Sequence, residues 1–262
     1  MLSLKDAQLL PIHTPEPSAR VKEIDALIAQ ADDDTPELYI QRAEALGEQS
    51  LLREAIASLS RAIATDPFCG ILYRYRGHKY LNLGCVEEAC ADFAVASRFI
   101  PENFAVWYHL GICYVLLQKY ALAERAYTEC EKLYFNTERV VAQKNWKWIA
   151  LMGQGKAAEA EALLADFDFS VDAATSLGYL NVIRVYKGMA APESLLEGAS
   201  SSTSFMDRLT LMTQAFGVAC YYRIRGETEK LENTLDYILE LGDGEGWFCF
   251  GYAGARYWKH HF

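Results

Sequence analysis

The residues able to carry chemistry are few and scattered. Five histidines occur, at His13, His78, His109, His260 and His261, and the adjacent pair at the end could hold a metal or form a solvated tail. Seven cysteines (Cys69, Cys85, Cys90, Cys113, Cys130, Cys220, Cys249) form no C-x-x-C pair, so zinc ligation and a disulfide framework lack their usual paired spacing. The expectation is reduced cysteines packed as small apolar residues. No H-E-x-x-H, G-x-S-x-G, P-loop or dinucleotide fingerprint is present. The run Gly242-Asp-Gly244-Glu-Gly246 lacks the lysine and strand–helix setting of a phosphate cradle and reads as a turn. Catalysis needs a positioned nucleophile, base or metal set. None is indicated, so the expectation is a chain that is no enzyme and carries no cofactor or metal.

Charge restricts the partners further. The formal net charge is −10, and residues 1–69 hold 6 Lys/Arg against 12 Asp/Glu. Phosphate backbones repel such a surface, and no basic stripe offers counterion release, so nucleic acid is not expected as a partner. No run approaches the roughly 20 apolar residues of a membrane span. The first residues, Met1 to Pro11, lack the apolar stretch of a secretory signal. A cytoplasmic location and no membrane partner are the resulting expectations.

The elements that must position any site recur in register. An aromatic stands at Tyr39, Tyr73 and Trp107, and a small residue four places on, at Ala43, Gly77 and Gly111. An alanine follows at Ala55, Ala89 and Ala123, then a large ring or leucine at Leu59, Phe93 and Tyr127. Proline closes the first two units at Pro67 and Pro101, and Phe135 takes that place in the third. Each unit reads as two antiparallel helices, A and B, too small to bury an apolar face alone. The small residues allow close approach of A to B, the large ones fill the remaining space, and proline stops helix B. Thr35-Pro36 reads as an N-cap followed by proline at the first helical position.

These positions resemble the tetratricopeptide repeat (TPR) signature, with Trp107-x2-Leu110-Gly111-x2-Tyr114…Ala123-x3-Tyr127 the fullest match. The resemblance implies an all-α fold: a right-handed superhelical array of antiparallel helix pairs, about five to six hairpins. Units are read at 36–69, 70–103, 104–137 and 138–170. Before them, residues 1–35 read as an extended arm and a capping helix over 19–31 started by Ser18. After them, residues 171–262 read as degenerate helical repeats with an aromatic end. In that end Trp247, Phe250, Tyr252, Tyr257 and Trp258 crowd together, either sealing the last hairpin or offering a patch for self-association.

Proteins of this family line a concave groove with the second, fifth, ninth and twelfth positions of their A helices. The resemblance therefore implies a peptide-binding groove at Glu37, Ile40, Glu44 and Gly47, then Ile71, Arg74, His78 and Leu81. It continues with Ala105, Tyr108, Ile112 and Val115, and then Ala142, Asn145, Ile149 and Met152. The lining is mostly apolar with a few donors at its centre, and His109 adds a further donor. It suits an extended or helical segment with aliphatic anchors. One family subset clamps a free C-terminal carboxylate, but the required set is absent when the register starts at unit one. Starting at unit two it is degenerate, reduced to Arg74, His78 and His109. The expected partner is another protein or peptide segment, and a homo-oligomer joined through the aromatic end is the alternative.

Overall fold

The computed structural model describes residues 16–31, 35–133, 136–172, 176–198, 204–242 and 249–261. The fold is all-α: thirteen α-helices occur among these residues, without strands. The chain divides into two compact units, Met1–Leu110 and Gly111–Phe262.

The first unit holds α1 (Ala19–Gln30), α2 (Pro36–Glu48), α3 (Leu52–Thr65), α4 (Gly70–Asn82) and α5 (Val86–Phe99), together with the first half of α6 (Phe104–Leu116). Ser18 caps α1 as its sequence implies, its hydroxyl accepting from the Val21 N–H at 3.3 Å. Pro36 opens α2, but the Thr35 side chain makes no capping hydrogen bond, so proline's fixed φ does the starting. Helices α2/α3 and α4/α5 pack as hairpins. Their seam is built from Ala43, Ala55, Leu59, Ala89 and Phe93, all wholly buried. In the second and third units the aromatic at the fourth repeat position also ties back to the proline closing the preceding unit. The Tyr73 hydroxyl donates to the Pro67 carbonyl at 2.9 Å, and Trp107 Nε1 to the Pro101 carbonyl at 2.7 Å.

The second unit continues with α7 (Tyr120–Glu131), α8 (Thr137–Met152), α9 (Ala157–Leu163) and α10 (Leu177–Tyr186). The short partner expected near 192–198 is a single 3-10 turn, Pro192–Leu195. Then come α11 (Phe205–Arg225), α12 (Thr228–Leu241) and α13 (Phe250–His261). The Tyr127 ring fills the space where a side chain at Gly111 would stand, the close approach that position requires. Gly226, at φ 71°, ends α11 in the left-handed conformation that glycine adopts without steric cost.

Helix α11 has a different character from the rest. Every residue from Gln214 to Cys220 is buried, so the middle of the helix is enclosed on all sides rather than along one stripe. It packs against α8, α10, the 3-10 turn, α12 and α13. Its polar Gln214 is satisfied inside, accepting from Asn181 Nδ2 at 3.2 Å and donating to the Leu195 carbonyl at 2.7 Å. Helix α13 seals the end: Tyr257 and Trp258 are buried, and Arg223 lies over the Trp258 ring at 4.6 Å. Phe250 and Tyr252 of the same aromatic end are half-buried. Trp247, His13 and Phe135 lie outside the described residues, as does most of the glycine-rich turn. No disulfide joins the seven cysteines.

Candidate functional site

The A helices of the first unit bring together Ile40 and Glu44 on α2, Arg74 and His78 on α4, and Tyr108 and His109 on α6. Ile40, Glu44, Arg74, His78 and Tyr108 are half-buried, presenting part of each side chain. His109 is buried, its ring stacked on Phe93 at 5.3 Å. Its Nδ1 lies 2.6 Å from the Ala105 carbonyl oxygen, which places the ring proton on Nδ1 as the donor.

An aromatic row runs across this face. The His78 and His109 rings meet edge-on at 5.1 Å, Tyr108 meets His109 at 5.2 Å, and Phe104 stacks on Tyr108 at 5.7 Å. At the α4 end, the Arg74 guanidinium stands 4.7 Å from the Tyr75 ring centre. Burial and the Glu44 charge push the Tyr75 hydroxyl up, with Arg74 opposing.

Electrostatics set the protonation of the polar members. Burial pushes the His78 imidazole down to about 3, and the charges of Arg74 and Lys79 act in the same direction, so the ring is neutral at ordinary pH. Burial also lowers the Lys79 ammonium, aided by Arg74 and opposed by Glu44 and Glu48. Sequence reading missed Lys79. It occupies the tenth repeat position, outside the expected lining, and reaches the face because Gly47 has no side chain. The Lys79 Nζ fills the space that a Cβ at Gly47 would need. The signal available in the sequence was a glycine at a lining position, which opens room for a neighbour's long side chain.

The remaining expected residues belong to the second unit and are placed differently. Ile112 is wholly buried, and Asn145 and Ile149 are 1% and 2% exposed. Asn145 and Ile149 share a tight interior space with Trp146, Tyr179 of α10, Thr213 and Phe216 of α11, and Gly251 of α13. The face of α8 that would line a groove is thus covered by the chain's own later helices. Asn145 Oδ1 and Trp146 Nε1 have no hydrogen-bond partner there.

Among the described residues, no group of three or more His, Cys, Asp or Glu could hold a metal ion. No helix of the described residues is long and apolar enough to cross a membrane.

No family model matches the sequence, and no curated protein is similar to it at a significant level. Solved structures are similar in fold. YrrB, a TPR protein with an unusual peptide-binding site, superposes with a TM-score of 0.51 at 18% identity, over 92% of this chain and 99% of YrrB. A tetratricopeptide repeat protein from Parabacteroides merdae gives a TM-score of 0.55 at 18% identity, over 89% of this chain and 90% of that one. The fold is TPR-like. In TPR terms, the described helices supply six A helices (α2, α4, α6, α8, α10, α11), with the 3-10 turn in place of one B helix. Among the first unit's lining positions Ile40, Glu44, Arg74, His78 and Tyr108 are half-buried while Gly47 and Leu81 are buried, and the face of α8 is filled.

Proposed function

We propose that this chain is a non-catalytic interaction scaffold that holds a peptide or protein segment against the A-helix face of α2, α4 and the first half of α6. The observation that carries this reading is the contrast in exposure. Ile40, Glu44, Arg74, His78 and Tyr108 are half-buried, whereas Asn145 and Ile149 are buried under α11 and α13. Partly exposed aromatic and aliphatic groups set around a few donors fit a segment with aliphatic anchors. The likeness to YrrB, which has a peptide-binding site, supports the same mode of action.

The reading keeps residues 36–170 as the repeat array, with 1–35 and 171–262 as its ends, and a cytoplasmic setting. Ile112, Asn145 and Ile149 contribute to it by packing, and Ile40, Glu44, Arg74, His78 and Tyr108 by contact with the partner. His109 orients the aromatic row from below. A pull-down with wild type, Arg74→Glu and Tyr108→Ala tests this: the two variants are expected to lose partners that wild type captures. Partners captured equally by all three would remove the A-helix face as the binding surface.

A further inference from the structure

Lys79 is the unusual cation of the first unit. It is half-buried, yet among the described residues it makes no hydrogen bond or ion pair, and its Nζ rests over Gly47. Two carboxylates act on it through their charge, Glu44 and Glu48; neither pairs with it, and Glu48 is held by Arg20 at 2.8 Å. A partly desolvated ammonium held this way gains from an anion brought to it.

We propose that Lys79, seated over Gly47, receives one carboxylate side chain of a bound segment: an internal Asp or Glu flanked by apolar residues. This rests on the segment-holding role proposed above. The half-buried Ile40, His78 and Tyr108 of the same A-helix face supply the apolar surface for the flanking residues. A single carboxylate fits better than an acidic run, because the chain is itself at −10 and would repel one. It also fits better than a phosphorylated residue, whose charge of roughly −1.5 to −2 and three acceptor oxygens call for a cluster of donors.

The test uses a positional-scanning library of ten-residue peptides, N-acetylated and C-amidated so that no terminal carboxylate contributes, read by fluorescence polarisation. The full-length wild type is expected to select Asp or Glu at one position beside apolar residues, with Glu→Gln there weakening binding about tenfold. Lys79→Met is expected to lose the acidic preference while keeping the apolar one, Lys79→Arg to keep both, and Lys79→Glu to select Lys or Arg at that position. Peptide binding by wild type without acidic preference, or an acidic preference surviving in Lys79→Glu, overturns this inference and leaves the scaffold reading intact. Failure of the wild type to bind any library peptide overturns the scaffold reading, and this one with it.

Discussion

The indole Nε1 of Trp258 donates to the carbonyl oxygen of Leu116 at 3.0 Å, joining α13 to the end of α6 across 142 residues. Leu116 is the last residue of its helix, so this carbonyl is one of those that a helix end leaves without an internal partner. The bond fastens the second unit from its last helix to its first, and it explains why Trp258 faces inward.

Removing this fastening separates its two components. Trp258→Phe keeps the ring and loses the donor, an expected cost of about 1 kcal/mol. Trp258→Ala also empties the space beside Phe216, whose ring lies 4.9 Å away, with an expected cost of about 3–5 kcal/mol. Urea denaturation followed by far-UV circular dichroism checks both. An unchanged midpoint for Trp258→Ala would show that α13 contributes little to the unit.

Asn145 offers a prediction of the opposite sign. Its Oδ1 is buried without a partner, and such a group costs about 1–3 kcal/mol. Asn145→Leu replaces it with an apolar group of similar size among Trp146, Ile149 and Phe216. The variant is expected to be more stable by about 1 kcal/mol. A thermal melt is sufficient, and a fall in Tm would contradict the assignment.

The pair Arg76–Asp92 holds α4 to α5 through two bonds of 2.8 Å, with Arg76 Nη1 also donating to Ser60 at 3.1 Å. Asp92 is 5% exposed, and burial raises its carboxyl although Arg76 pulls it down. Asp92→Ala strands the guanidinium and is expected to destabilise by about 3 kcal/mol, whereas Arg76→Met with Asp92→Leu recovers most of that loss. Chemical denaturation of the two single variants and the double variant tests the coupling, which strictly additive losses would exclude.

His78 makes stability depend on acid. Its folded value of about 3 lies below the ordinary 6.5, so between those pH values the unfolded chain takes up a proton that the folded chain refuses. Stability from this group is complete above pH 6.5 and falls as pH drops toward 3. Denaturation from pH 7 to pH 4 is expected to show a shallower decline for His78→Gln than for wild type. His78 ring resonances titrating near pH 6.5 in the folded protein would refute the assignment.

The three units between 36 and 137 were readable because their packing needs recur at a fixed spacing. A small residue at Gly77 or Gly111 and a ring at Phe93 or Tyr127 are demanded by contacts inside one hairpin. The lining positions obey no such local rule. Whether Asn145 meets a partner or the chain's own α11 depends on contacts such as Trp146 with Phe216, 6.0 Å apart in space but distant in sequence. The enclosure of α11 was hidden for the same reason, since its many apolar and small residues suit a buried helix of any role. Lys79 was missed because its place on the face follows from an absent side chain at Gly47 on another helix. The Thr35 cap was overread from a residue type that forms such bonds often but did not do so here.

The paired ties from Tyr73 to Pro67 and from Trp107 to Pro101 reach back six residues in both cases, with the joint and its fastener inside the same short stretch. A duplicated or deleted block of one repeat would carry its own hinge pin along. The array could therefore lengthen or shorten by whole modules over evolutionary time, with no new joint having to be invented at the seam.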